Sequence, residues 1–259
     1  MSLATDTLEV RYGDQLAVQS TSVELMPGEL IALIGPNGAG KTSLLRALAG
    51  IPTPSDQVHW QGRSLASHDN AARARTIAYL PQAPQANWPL SVRELVTLGR
   101  LPHRRFGEPL QEADRRAIDR AMQQTDIESL ADRAIDQLSG GERMRAHLAR
   151  AFAVDAPVLL VDEPVASLDP YHQLAVMRLL LQYRDDGRLV VAVLHDLNLA
   201  LAHCSRLLLM DRGQIVVDDR PEAAIDAQTL AKHYRIRAWL SEHENRRVAV
   251  PWEILDRHD

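Results

Sequence analysis

The sequence predicts an α/β fold built on a mainly parallel sheet, with a helical lobe inserted into it. Three continuous apolar runs of strand length, "ELIALIG", "VLLVDE" and "RLVVAVLHD", read as strands buried on both faces. Helical segments separate these runs, as a parallel sheet requires. Between about Pro84 and Arg150 the pattern turns helical instead. There "SVRE", Ser91 to Glu94, is a capping box that opens a helix toward Leu98. "LQEADRRAIDRAMQQ" is amphipathic, with Ala113, Ala117, Ile118, Ala121 and Met122 on one side.

The other elements follow in order. "TLEVRYG" alternates as an edge strand would. "QGRSLA" and "RLLLMDRGQIVVDD" add shorter strands, the second turning at Arg212 and Gly213. The last forty or so residues are expected to hold one more helix, from Glu222 to Tyr234, and then a short polar-apolar tail. That is too little for a separate domain. The chain is therefore divided as one domain, with a core in 1–83 and 151–221, the helical lobe in 84–150 and the helix and tail in 222–259.

Composition narrows the partners. A net charge of −5 gives no bulk attraction to nucleic acid or anionic lipid. The single cysteine, Cys204, excludes an internal disulfide and suits a reducing compartment. Its setting, "LALAHCSRLLLMD", is that of a buried structural thiol. The N-terminus lacks the charged-then-apolar pattern of a leader, and no run approaches ~18 uninterrupted apolar residues. These features point to a cytosolic chain that meets a membrane only through another protein.

Chemistry enters at "GPNGAGKT", Gly35 to Thr42, which fits G-x-x-x-x-G-K-[ST] between the strand "LIALI" and the helix "SLLRALAG". Glycines let backbone N–H groups converge on an anion, and the helix start adds a favourable dipole. Lys41, one of only two lysines, would reach the β- and γ-phosphates, and the Thr42 hydroxyl would serve Mg²⁺. The nucleotide set is Gly35, Pro36, Asn37, Gly38, Ala39, Gly40, Lys41, Thr42 and Ser43. On its own this motif specifies a nucleoside triphosphate and nothing narrower.

A second group supports it. Asp162 ends the buried strand "VLLVD", at the carboxyl edge where ligands collect in open α/β sheets, and a carboxylate there can hold Mg²⁺. Glu163, one residue on, can polarise a water toward the γ-phosphate. His195 closes another apolar strand and could bond the γ-phosphate or that water, although a histidine in this place also serves structure alone. Gln82 in "AYLPQ" is as readily a loop-bonding glutamine. "QLSGGERMRAHLAR" offers a helix start suited to phosphate, with no nucleophile, base or metal cluster of its own.

Together these segments resemble the ATP-binding subunits of ATP-binding cassette (ABC) transporters, over nearly the whole chain. "LSGGE", Leu138 to Glu142, is similar to the family signature, and "DEPVASLD" to the metal-binding strand running into a loop of Ser167, Leu168 and Asp169. The resemblance implies a P-loop ATPase core with a mainly parallel sheet, an N-terminal antiparallel β subdomain and an inserted helical lobe. It makes Glu163, His195 and Gln82 catalytic, Gln82 also a metal contact with Thr42 and Asp162, and Tyr12 the ring stacked on adenine. Val165 and Met144 depart from the family pattern at positions without a phosphate or metal role.

The family arrangement also explains the helix start. Two cassettes face each other head to tail, so Ser139, Gly140 and Gly141 of one copy, with Asp169, cover the ATP of the other. "LPQAPQANWPLSVRELVTLGRLPH" and "LHDLNLALAHCSRLLLMDRGQIV" are similar to ATPases of importers for iron-siderophores, haem and vitamin B12. That implies ATP and Mg²⁺ as cofactors, a second copy, two transmembrane permease subunits, indirectly a solute-binding protein, no nucleic acid, and a peripheral place on the cytoplasmic face of the inner membrane. Trp88, Leu90 and Val92 are candidates to receive the permease, with Arg100, Arg104 and Arg105 at the rim; an ordinary core and a solvated charge run is the competing reading. A soluble ABC ATPase serving a protein machine such as cofactor assembly is the alternative function.

Overall fold

The computed structural model describes residues 2–52, 55–82, 89–105, 107–243 and 246–256. Its central sheet runs β10-β9-β3-β8-β7-β6, from β3 (Leu30–Ile34), β6 (Ile77–Leu80), β7 (Val158–Asp162), β8 (Leu189–Val193), β9 (Arg206–Asp211) and β10 (Gln214–Asp219). Only the β9–β10 pair is antiparallel. Every residue of β3, β7 and β8 is buried, which is why these strands read as unbroken apolar runs.

A second, antiparallel sheet has the order β2-β1-β4-β5, from β1 (Leu3–Tyr12), β2 (Gln15–Leu25), β4 (Val58–Trp60) and β5 (Arg63–Ser64). The strand read as an edge is therefore internal, since β1 pairs with β2 on one side and β4 on the other. Side-chain alternation reports which faces are buried, not whether the backbone edges are free. Little of "QGRSLA" is strand: Arg63–Ser64 give way at once to a 3₁₀ turn capped by Ser64.

Among the described residues the main helices are α1 (Lys41–Leu48), α2 (Asn70–Thr76), α3 (Val92–Thr97), α4 (Glu112–Gln124), α5 (Gly140–Ala153), α6 (Pro170–Asp185) and α7 (Leu197–His203). The capping box at Ser91 is present, with Glu94 accepting from the Ser91 backbone. On α4 the buried positions are Asp114, Ala117, Ile118, Ala121 and Met122, so Ala113 faces out and an aspartate faces in. The reason is Arg100, whose Nε donates to Asp114 Oδ1 at 2.9 Å, the two side chains being only 8% and 6% exposed.

Arg100 belongs to the 3₁₀ segment Leu98–His103, the "LGRLPH" stretch, which caps the far end of α5. Arg100 Nη1 donates to Ala153 O and His103 Nε2 to Val154 O, both at 2.7 Å, satisfying carbonyls that no helical N–H reaches. A Cβ on Gly99 would lie 2.2 Å from Arg150 O, so only glycine lets the segment sit this close. These contacts correct the rim assignment: Arg100 is interior, and Val92 is fully buried in the core. Leu90 packs against the core half-buried, Arg105 is exposed, and Trp88 lies outside the described residues.

The C-terminal part also differs from expectation. In place of one helix, Pro221–Ala224 and Ala227–Thr229 are short helices, the second restarted by the Asp226 cap, and Leu230–Tyr234 is a π turn ended by left-handed Arg235. The tail is a hairpin, β11 (Ile236–His243) with β12 (Arg246–Ile254). Pro251, which cannot donate to a ladder, stands opposite Ala238 where the register slips. The hairpin rests on α7 through Asn198, whose Nδ2 donates to Ala249 O while its Oδ1 accepts from Ala249 N. Cys204, just beyond α7, is half-buried against the core, and desolvation pushes its thiol up to about 12. Val165 and Met144 likewise pack into the core.

Two predictions come from α5 and its cap. Arg100→Ala strands a buried Asp114 carboxylate and is expected to cost about 3–5 kcal/mol in urea unfolding, whereas Arg100→Met with Asp114→Leu recovers most of it. His147, buried in α5, has no partner among the described residues for either ring nitrogen, and burial, reinforced by Arg150 and Arg143, lowers its pKa to about 4. The unfolded chain thus binds a proton below pH 6.5 that the folded chain refuses until about pH 4. Stability falls across that window by roughly 3 kcal/mol, and His147→Met is expected to flatten this slope in unfolding titrations.

Candidate active site

The carboxyl ends of β3, β6, β7 and β8 open on one cleft of about 930 Å³. Tyr12, Asn37, Gly38, Ala39, Gly40, Lys41, Thr42, Ser43, Gln82, Glu163 and His195 all line it. The loop after β3 turns sharply because two of its glycines have no room for a side chain. Gly35, at φ 144°, would place a Cβ 2.1 Å from Met210 O, and Gly40, at φ 99°, one 2.3 Å from Ala17 O. Gly40 is also the N-cap of α1, so the loop ends where first-turn N–H groups are free. Burial of the Tyr234 phenol raises its pKa, partly offset by a hydrogen bond from the Gly35 backbone, which ties the C-terminal π turn to the phosphate loop.

Lys41 is buried, with Nζ donating to Gly35 O at 2.8 Å and Pro36 O at 2.9 Å. Desolvation lowers its pKa, while the Glu163 and Asp162 carboxylates pull the other way. Asp162 lies deeper and is only 2% exposed; its Oδ1 accepts from Thr42 Oγ1 at 3.2 Å and its Oδ2 is buried without a partner among the described residues. Burial raises its pKa, with the Thr42 hydroxyl opposing. A buried carboxylate oxygen without a donor, beside a threonine hydroxyl, is the hard oxygen pair that Mg²⁺ takes. The residues present fit that ion.

Strand register builds the rest. Leu80 pairs with Val161, so Gln82 lies beside Glu163 from one side. Asp162 pairs with Val193, which brings His195 close from the other. Both Glu163 oxygens are used: Gln82 Nε2 donates to Oε2 and His195 Nε2 to Oε1, each at 2.7 Å. Glu163 holds a left-handed backbone, φ 51°, as does Ser167 at 61°, conformations rare outside glycine that cluster at functional sites.

Ser139, Gly140, Gly141 and Asp169 lie outside the walls of this cleft. Ser139 caps α5 in a capping box with Glu142 that occupies the N–H groups of Ser139 and Glu142. Those of Gly140 and Gly141 have no acceptor within the helix. Asp169 caps α6, its Oδ1 accepting from His172 N. The cleft also takes Gln19 from β2 and Arg212 from the β9–β10 turn, residues whose local sequence carries no nucleotide signal.

Comparison with known proteins gives the family. The ABC transporter family model matches residues 18–166. The chain is 38% identical over 250 residues to the hemin import ATP-binding protein HmuV of Pseudomonas entomophila, covering 94% of this chain and 96% of that protein. It is 35% identical over 240 residues to the ferric enterobactin transport ATP-binding protein FepC of Escherichia coli, covering 92% and 89%. A bacterial ABC transporter cassette solved as a dimer superposes with a TM-score of 0.74 at 24% identity, covering 85% of this chain and 98% of that one, a likeness of fold. With its phosphate loop facing a carboxylate set between glutamine and histidine, this chain belongs to the ABC transporter family, as an ATP-hydrolysing subunit.

Proposed function

We propose that the chain is the motor subunit of an importer for an iron chelate or haem, with cobalamin the third cargo of this type. The observation that carries the hydrolytic reading is Glu163, held between Gln82 and His195 across the cleft from Lys41. The relatives named for hemin and ferric enterobactin transport support the cargo class.

In this reading ATP enters with its triphosphate over residues 35–43 and its base against Tyr12, which is 45% exposed at the end of β1. Lys41 exchanges the carbonyls of Gly35 and Pro36 for β- and γ-phosphate oxygens. Thr42, Asp162 and Gln82 would hold Mg²⁺, which neutralises phosphate charge. Glu163 exchanges its His195 donor for a water and takes a proton from it as the water oxygen bonds to the γ-phosphorus and the bond to the β–γ bridging oxygen breaks, so that ADP and phosphate leave. His195, whose Nε2 lies 2.7 Å from Glu163 Oε1, would turn that donor to the water or the γ-phosphate.

The site is completed from outside. Gly140 and Gly141 start α5 with free N–H groups, and a second copy placed head to tail would set them on the γ-phosphate held by the first. ATP would then hold two copies together, and hydrolysis would remove the anion between them. Residues 1–83 and 151–221 would form the catalytic core and 84–150 the lobe that meets a permease. Leu98 and Leu101, 40% and 57% exposed, are candidates for that contact along with Arg105. Two permease chains and an external solute-binding protein complete the assembly, at the cytoplasmic face of the membrane. No helix among the described residues is long and apolar enough to cross one.

Glu163→Gln is expected to keep ATP affinity, lose turnover by a factor of about 10² or more, and accumulate as an ATP-bound dimer in light scattering; in a strain lacking the native copy it does not restore uptake of labelled haem or ferric siderophore. Undiminished hydrolysis would remove Glu163 as the base. Mixing Lys41→Ala chains with Ser139→Arg chains is expected to restore one working site per heterodimer. A mixture as inactive as either variant alone would refute the shared site.

A further inference from the structure

We infer that His172 is a positioning residue that locks Asp169, at the end of the loop following Glu163, to Gly141 at the tip of α5, so that both elements are presented to the second copy as one rigid unit. The inference rests on the dimer reading above. It is carried by contacts made entirely within one chain.

His172 is the third residue of α6. Its ring Nδ1 lies 2.9 Å from both oxygens of Asp169, and its backbone N–H donates to the same carboxylate at 2.9 Å. Those hydrogen bonds hold the Asp169 carboxyl below its usual range, so it stays ionised and can only accept. The proton therefore sits on Nδ1, and two bonds from one residue to one carboxylate fix the ring. Tyr171 packs against the ring edge-on, with centroids 5.3 Å apart.

The fixed ring edge lies directly against Gly141. A Cβ there would fall 1.9 Å from His172 Cδ2 and 2.5 Å from Nε2. Gly141 is in ordinary helical conformation, absent from the positive-φ glycines, so the backbone itself does not demand glycine. Its neighbour Gly140 would place a Cβ 3.7 Å from Leu168 Cδ2, an ordinary contact. The missing side chain of Gly141 thus points into its own chain, toward His172, and not outward to a nucleotide brought by a partner. Glycine at 141 is what lets α5 settle onto the ring.

The same loop reaches back to the base. Ala166 N donates to Glu163 O, Leu168 N to Val165 O, and Gln173 Nε2 to Val165 O. From Glu163 through Asp169 and His172 to Gly141 the contacts are continuous. The strand end that serves one copy's ATP is thereby joined to the helix tip offered to the other copy's ATP.

The test uses the full chain carrying Glu163→Gln, with ATP-driven dimerisation followed by light scattering and ATP binding to the monomer followed with a fluorescent analogue. His172→Ala is expected to raise the ATP concentration for half-dimerisation by about tenfold while monomer binding is unchanged, with His172→Asn, which keeps a donor for Asp169, lying nearer the parent. Gly141→Ala is expected to abolish dimerisation and to regain it when combined with His172→Ala or His172→Asn, the asparagine variant serving if the alanine one fails to fold. If the parent dimerises and Gly141→Ala stays inactive in both combinations, or His172→Ala dimerises like the parent, the positioning role is wrong. If the parent itself never dimerises with ATP, the dimer reading falls and this inference with it.

Discussion

Leu80 opposite Val161, and Asp162 opposite Val193, set the register of three parallel strands, and the chemistry of the site hangs on that register. It brings Gln82 and His195, distant in sequence, to the two oxygens of one carboxylate. A slip of one residue in β7 would turn Asp162 and Glu163 each to the other face and take them away from Thr42, Gln82 and His195. All three strands are fully or almost fully buried, so their alignment is held by the core and not by the polar groups at their ends.

The signature helix shows how the same chain keeps one helix end occupied and the other available. At its C-terminus, Arg100, His103 and Gly99 close around the last carbonyls, with Asp114 neutralising the buried guanidinium. At its N-terminus the capping box satisfies only part of the first turn and leaves glycine N–H groups outward. Anchoring one end makes the free end a defined donor pair instead of a fraying one. "LGRLPH" therefore reads, in structure, as the anchor of α5, which accounts for Arg100 facing inward.

Much of the site was legible in sequence because its residues sit next to signals that are themselves local. A glycine-rich turn between an apolar run and a helix, a carboxylate pair ending an apolar run, and Ser-Gly-Gly before an arginine-rich helix each occupy a handful of consecutive residues. Gln82 and His195 were ambiguous from their own surroundings, since a strand end suits either residue for ordinary reasons; only their meeting at Glu163 distinguishes them. Gln19, Arg212 and Tyr234 carried no signal at all, being brought to the cleft or its loop by sheet pairing and the C-terminal turn. The internal place of β1, the inward Asp114 and the terminal hairpin were misread for a common reason: each depends on which partner the chain finds, such as β4, Arg100 or Asn198.

The amino-acid order by itself determined the strand runs, the glycine-rich phosphate loop, the carboxylate pair that ends β7 and the Ser-Gly-Gly helix start, because period, glycine placement and caps act over a few residues of contiguous backbone. Tertiary structure alone decided what those groups face: Glu163 shared between two strands, an Asp162 oxygen buried beside Thr42, an arginine turned inward, and a histidine seated against Gly141. Such pairings are set by packing between segments 14 to 120 residues apart, where electrostatics and excluded volume act through space and leave no trace in local sequence.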